Sequence, residues 1–361
     1  MRVAVDAQLA VGTSTGIGEY VRGLIRALRA CGTDVVALSE PRLNPWRFDR
    51  RVLWDQFVLP ARAKRSGAML LHCAAGTVPL RTSLPVIATV HDVAWLRVQS
   101  HTRAYARYYF GKFSLERYRR VAAFAVDSQF SRNELLEAMP RLDSACVRVV
   151  YPGVAADYCA LVRERGDGRT IFIPGTVERR KNLETVIRAL PLLPGARIVS
   201  VGPYTPYQDT CREIAEELGV ASRVEFRGYV GRGEVLSLYR TCAAVAVPSR
   251  YEGFGYAAAQ ALCAGTPCVV SDRASLPEVV DGDAAIVSGD DPQAWSAALA
   301  AAIRGDGDAR ATAARSRSRV RFGWNASAAA MLSAYELALG GLVDGRTRST
   351  GSDRSIVGGE D

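Results

Sequence analysis

Pro248 to Glu278 reads PSRYEGFGYAAAQALCAGTPCVVSDRASLPE. An apolar run, Ala243 to Val247, precedes it and has the look of a buried strand. The stretch opens as an acidic, glycine-spaced loop, Glu252-Gly253-Phe254-Gly255. It continues as an alanine-rich helical run from Tyr256 to Ala264 and stops at Gly265-Thr266-Pro267. A second apolar run, Cys268 to Val270, follows at once. Strand, glycine loop, helix, strand is the order that aims backbone N–H groups and a helix N-terminus at a phosphate.

The same alternation runs outward in both directions. Upstream, strand-like runs at Arg2–Asp6, Val35–Leu38, Met69–Leu71, Pro85–Val90, Ala122–Val126 and Val147–Val150 are spaced by helical runs at 19–30 and 131–139. Gly153 to Arg169 reads as a polar connector, and the alternation restarts at Thr170. Strands alternating with helices predict an α/β fold of two doubly wound parallel-sheet domains facing a cleft. The expected division is residues 1–165, residues 166–323, a last helix from 324 to 340, and a disordered tail from 341 to 361.

The chain is 361 residues, 48% hydrophobic and 23% charged, which suits two globular cores. No apolar run approaches the roughly 20 residues of a membrane span. Asp6 interrupts the first apolar residues, so no signal peptide is expected and the cytoplasm is the expected compartment. Eight scattered cysteines without a CxxC pair, and three separated histidines, argue for packing and against a metal or redox site.

The net charge of +9 is unevenly placed. Residues 1–165 hold 24 Lys+Arg against 14 Asp+Glu, and the rest hold 22 against 23. Two patches interleave bases with aromatics: Arg42 to Arg65, including Arg47, Arg50 and Arg51, and Arg97 to Arg120, including Arg103, Arg107, Lys112 and Arg117. A solvated basic face fits them. So does contact with anionic lipid headgroups, peripheral on the inner face of the cytoplasmic membrane, or with an anionic acceptor. Nucleic acid is disfavoured, since no nucleic-acid module is visible.

Three lysines stand against 43 arginines, and one of them, Lys181, sits beside Arg180 in a strand-to-helix loop that begins at Gly175. Two cations at a helix start can neutralise a leaving diphosphate. Glu252, an acid in a phosphate-type loop, needs another partner, such as a sugar hydroxyl. Gly253 and Gly255 let backbone approach a ligand closely. His91 ends a strand at the expected cleft, where it could hydrogen-bond a sugar. Gly16 and Gly18 border the first helix.

Together these motifs resemble the retaining, nucleotide-sugar-dependent glycosyltransferases of the GT-B fold, family 4. The resemblance rests on Thr15 to Tyr20, Thr89 to Asp92, Ser128 to Arg132, Tyr151 to Val154, Gly175 to Asn182, Arg227 to Val230, Pro248 to Gly255, Gly265 to Pro267 and Leu276 to Val279. The Arg-Lys-Asn form is similar to mannosyltransferases that build O-antigen, capsule or exopolysaccharide. The resemblance implies that Arg180 and Lys181 hold the donor diphosphate. It places Glu252 and the amides of Gly253, Phe254, Gly255 and Tyr256 on the donor sugar and phosphate, and His91 on the transferred sugar. Arg227, Gly228, Tyr229 and Val230 would lie near the base, and Gly16 and Gly18 between donor phosphate and acceptor. It also implies a nucleotide-sugar donor, a glycan or lipid-linked glycan acceptor, and no cofactor or metal. The family pattern has a second Glu where this chain has Gln260, which offers one carbonyl acceptor and no charge to a ribose. A nucleotide-sugar-binding protein without turnover is the alternative. A dinucleotide oxidoreductase is disfavoured, because no GxGxxG follows the first strand.

Overall fold

A computed structural model describes residues 1–12, 16–97 and 108–349, apart from the side chains of residues 96, 97, 112 and 341–349. Thr15, Arg103, Arg107 and residues 350–361 therefore lie outside the described residues, as do the side chains of Arg97 and Lys112.

Among the described residues twelve strands form two six-stranded parallel sheets. The first contains β1 (Arg2–Asp6), β2 (Asp34–Leu38), β3 (Leu70–Cys73), β4 (Val86–Val90), β5 (Ala123–Val126) and β6 (Val147–Val149). The second contains β7 (Thr170–Pro174), β8 (Arg197–Val201), β9 (Val224–Phe226), β10 (Ala244–Val247), β11 (Cys268–Ser271) and β12 (Ala285–Val287). Central strands are buried along their whole length, which is why they are written as near-continuous Val, Ile, Leu and Ala runs.

The first sheet is ordered β2-β1-β3-β4-β5-β6 and the second β12-β11-β10-β7-β8-β9. Strand order therefore reverses beside β1 in the first sheet, and between β7 and β10 in the second. Ligands of such sheets collect outside the carboxyl ends of the strands at these reversals. Gly175 follows β7 and Ser249 follows β10, so the two loops singled out in the sequence leave adjacent strands at one reversal.

The Gly16–Ala30 helix buries Tyr20, Val21, Leu24, Ile25 and Leu28 against the first sheet. Each such burial stabilises by about 1.5–3 kcal/mol. The helix from Trp324 crosses back to the same core, giving it Ala328, Met331, Ala334 and Tyr335. It is described as far as Ser349, beyond the expected end at 340. Gly340 and Gly341 weaken a helix, but no proline stops it there.

Two further expectations change. The connector is not wholly polar: Ala156–Ala160 is helical, and Val154 and Tyr158 enter the second sheet's core. The Arg42 to Arg65 patch is largely helical, in segments Phe48–Leu53, Trp54–Val58 and Leu59–Arg65. Arg51 and Arg117, read as parts of basic faces, are buried. Arg51 meets Asp55 at 2.9 Å, with Thr77 and Asp6 beside it. Arg117 donates to the carbonyls of Tyr109 and Val78 and to Ser114 Oγ. A buried guanidinium needs its donors satisfied; Arg117 has a partner on every nitrogen, whereas Arg51 Nη1 is buried without one among the described residues.

Candidate functional site

Glu252 stands at the centre. Its side chain is 10% exposed. It meets Lys181 Nζ through Oε1 and Arg180 Nη1 through Oε2, the latter at 3.5 Å. Ser249 Oγ donates to Oε1 at 2.8 Å. Burial alone would raise the carboxyl's pKa, yet Lys181 and Arg180 hold it below the ordinary carboxylate range. Arg180 also pairs with Glu178 at 2.8 Å. The loops are laced together by backbone, since Arg250 N donates to the Arg180 carbonyl at 2.7 Å. Asn182, held at φ 53 with its amide on the Gly289 carbonyl, starts the helix that follows Lys181. Arg180 and Lys181 thus meet two carboxylates, Glu252 and Glu178, and each keeps about a quarter of its side-chain surface open to a ligand.

The loop after Glu252 crosses to the first sheet. Ser128 Oγ and Ser131 Oγ donate to the Gly253 carbonyl at 2.5 and 2.9 Å. A Cβ on Gly253 would lie 2.0 Å from the His91 carbonyl oxygen, so only glycine fits. Gly255, at φ 93, starts the Tyr256–Ala264 helix, and a Cβ there would meet Leu276 at 2.6 Å. The first amides of that helix have no intrahelical partner. Phe254 itself turns into the core against Tyr151, Tyr256 and Phe322.

His91 follows β4 directly, within reach of this loop. Its Nδ1 lies 2.7 Å from Asp127 Oδ2 and its Nε2 3.0 Å from the Ala74 carbonyl. Tyr20 meets the ring edge-on at 4.9 Å. Burial opposes charge on the ring, but Asp127 beside it raises the imidazole's pKa above its ordinary value, while burial raises that of Asp127 as well.

A cleft of about 1210 Å³ runs between the two sheets' loops. Gly16, Gly175, Tyr229, Val230, Tyr256 and Gln260 line it. Gly175 and Thr176 also line a small recess against Lys181 and Glu252, so cleft and charged cluster adjoin. Tyr239 Oη donates to Gln260 Oε1 at 2.9 Å, which leaves the amide nitrogen for the cleft. Gly228, at φ 67, turns the chain and accepts from Gly202 N at 2.8 Å. Arg227 is held by Glu225 and Glu234 and does not line the cleft. Gly18 is buried in its helix. Among the described residues no group of three His, Cys, Asp or Glu side chains could hold a metal ion.

Several residues at the site were not singled out in the sequence. Asp127 directly follows β5, which lies beside β4, and a carboxylate at a strand's carboxyl end was its available signal. Glu278 accepts from Gln129 N at 2.7 Å, Phe130 N at 3.0 Å and Tyr151 Oη at 2.9 Å, so it caps a first-sheet helix from the second half. Arg232 ties Glu19 at 2.7 Å and Asp157 together at the cleft. Only the folded chain brings these together.

Comparison with known proteins follows this geometry. The model for Glycosyltransferase Family 4 matches residues 14–158, and that for Glycosyl transferases group 1 matches residues 162–319. The chain belongs to this glycosyltransferase family, with the GT-B fold. D-inositol 3-phosphate glycosyltransferase of Mycobacterium marinum is 30% identical over 231 residues, 59% of this chain and 50% of that one. The Mycobacterium bovis protein of that name is 32% identical over 237 residues, 60% and 49% of the two chains. The matches thus span about half the length of these relatives. Anabaena HepE, solved with UDP and glucose, superposes with a TM-score of 0.70 at 14% identity, over 93% of this chain and 99% of that one. Sucrose-phosphate synthase from Thermosynechococcus elongatus gives 0.70 at 20% identity, over 96% and 99%.

Proposed function

We propose that this protein transfers a hexose from a nucleotide diphosphate sugar to a hydroxyl acceptor, with retention of anomeric configuration. The observation that carries the reading is the Arg180–Lys181–Glu252 cluster, set at the strand reversal and opening beside Gly175 onto the cleft. Arg180, Lys181 and the first amides of the Tyr256–Ala264 helix would hold the diphosphate and stabilise it as it leaves. Glu252 fixes the ammonium and reaches the sugar side. His91, held by Asp127 and Ala74, positions the first-sheet wall against the transferred sugar. Attack from the departing phosphate's own face lets that phosphate accept the hydroxyl proton, so no second carboxylate is called for. The cations supply the charge that a metal would otherwise supply. Rate then comes from positioning and preset charge.

The donor put forward first is GDP-mannose, with UDP-glucose beside it because HepE was solved with UDP-glucose. The acceptor put forward is a glycan or lipid-linked glycan of a cell-surface polysaccharide. Exposed Leu53 and Phe57 beside Arg47 and Arg50 suit peripheral contact with an anionic bilayer. No helix among the described residues is long and apolar enough to cross a membrane. Thermal shift against a panel of nucleotide sugars tests the donor. The expected outcome is a rise in Tm with one of them and none with NAD(P). No response to any nucleotide or nucleotide sugar overturns the reading.

A second reading, binding without turnover, is favoured by Gln260, whose only carbonyl oxygen is taken by Tyr239. Donor hydrolysis by the purified protein, lost in Lys181→Ala, rejects it.

A further inference from the structure

The cysteines, read from the sequence as packing, are scattered along the chain, but the fold sets two of them side by side. Cys159 lies on the Ala156–Ala160 helix of the connector, and Cys263 on the Tyr256–Ala264 helix that follows the glycine loop. The two helices pack against each other, and both side chains join the second sheet's core. The Cys263 thiol donates a hydrogen bond to the Cys159 sulfur. A third element holds the pair in place. On the Asp308–Arg321 helix, Arg315 and Arg319 stand one turn apart. Arg315 Nη2 donates to the Cys159 carbonyl at 3.1 Å, and Arg319 Nε to the Cys263 carbonyl at 3.3 Å.

Cys159 differs in its chemistry from the closed thiols of the core. Burial pushes those of Cys73, Cys211, Cys242 and Cys268 up, because a thiolate is poorly solvated there. Cys159 is half-buried and moves the other way. The hydrogen bond from Cys263, and then the Arg319 and Arg315 guanidiniums, bring it down to about 7 against the effect of burial. Its thiolate is therefore present at neutral pH, with access from solvent. Cys263 is fully buried, and its thiol is raised, first by the same hydrogen bond and then by burial. An accessible thiolate beside a buried thiol is the arrangement of an attacking sulfur and a resolving one.

We propose that Cys159 and Cys263 form a reversible disulfide, a modification site at which a peroxide is the oxidant. The Cys159 sulfur attacks one peroxide oxygen. An S–O bond forms, the O–O bond breaks, and the other oxygen leaves as hydroxide, which takes a proton to become water. Cys159 is then a sulfenic acid, and the hydrogen bond that held up the Cys263 thiol lapses. The Cys263 sulfur attacks that of Cys159. The S–S bond forms, the S–O bond breaks, and the oxygen departs as water with the Cys263 proton. The thiol pair gives up two electrons, and one peroxide is reduced to two waters. The bridge ties two walls of the cleft together, since Ala156, Asp157 and Tyr158 line it on the Cys159 side and Tyr256 and Gln260 on the Cys263 side. The proposal does not depend on which donor the cleft takes.

The test is treatment of the reduced full chain with an equimolar amount of hydrogen peroxide, followed by alkylation and peptide mapping by mass spectrometry. The main product is expected to be a linked peptide joining Cys159 to Cys263, which dithiothreitol reverses. In Cys263→Ser the reaction is expected to stop at the sulfenic acid, with dimedone labelling of Cys159 raised about tenfold over the unaltered protein. In Cys159→Ser, Cys263 is expected to stay reduced. A thermal melt checks that each variant is folded, and the map of the unaltered protein decides the matter alone where one is not. Recovery of Cys159 and Cys263 as free thiols while the exposed Cys31 is oxidised overturns the proposal. A main product that pairs either of them with a different cysteine overturns it too. So does dimedone labelling of Cys159 that is no higher in folded Cys263→Ser than in the unaltered protein, because no resolving thiol is then at work.

Discussion

Two clusters in this chain join arginine, carboxylate and hydroxyl, one with each sheet. Around Glu252, Arg180 and Lys181 keep about a quarter of their side-chain surface exposed, at 26% and 24%. Around Asp55, Arg51 is 4% exposed and the carboxylate is fully covered. The first faces a recess that adjoins the cleft. The second is closed by Trp54, whose Nε1 donates to Asp6 at 2.9 Å, and by Thr77. The chemistry of the parts is alike, so accessibility decides which cluster can act on a ligand and which only holds the fold. Taking one partner from a closed cluster strands a buried charge. Taking one from an open cluster leaves water to replace it.

The widest separation is expected in turnover. Lys181→Ala should lower transfer by about 10²–10³-fold, the scale of losing one preset electrostatic contact to a transition state. Tm should stay close to that of the unaltered protein. A single-turnover assay beside a thermal melt checks this, and a large fall in Tm with rate retained would reverse the roles assigned to the two clusters. Arg51→Met should do the opposite, costing about 3–5 kcal/mol of unfolding free energy through the stranded Asp55. Denaturant melts measure the loss, and UDP binding by the remaining folded fraction should be unaltered. A loss below about 1 kcal/mol would place the Arg51 cluster with surface pairs.

Acid sharpens the contrast within the first half. His72, buried between Tyr335 Oη and Thr89 Oγ1, is pushed by burial down to about 3. Between pH 6.5 and 3 the unfolded chain therefore binds a proton there that the folded chain does not, and stability falls as pH falls. From pH 6.5 to 5 this amounts to about 2 kcal/mol. Asp55, raised by burial to about 6, takes up a proton in the folded state over part of that range and offsets some of the slope. The measurement is thus the difference between the unaltered protein and His72→Gln, whose amide can serve both hydroxyls. Identical pH slopes would remove His72 as the acid-sensitive group.

The alternation of apolar runs with amphipathic ones carried the fold, because a strand buried on both faces leaves few residue types to choose from. Lys181 and Glu252 were legible because each broke a local habit, a lysine in an arginine-rich chain and an acid in a phosphate-type loop, and Arg180 was read through its place beside Lys181. Arg51 and Arg117 misled for the converse reason. A count of charges along the chain carries no record of which way a helix faces, and both turn inward. Asp127, Glu278 and Arg232 act across long sequence separations, on partners that only strand order brings near. Arg227 belonged to a recognisable motif, yet its side chain is spent on Glu225 and Glu234.

The contact of Gly253 with the His91 carbonyl bears on how such enzymes can be recombined. The two halves look like interchangeable modules, each with its own sheet. Yet the loop that carries Glu252 is fitted to the far half by the lack of a single methyl group and by two serine hydroxyls. A chimera that takes its second half from this chain must also take Ser128 and Ser131, and an unobstructed carbonyl at residue 91. Otherwise the graft will join in sequence and stay apart in space.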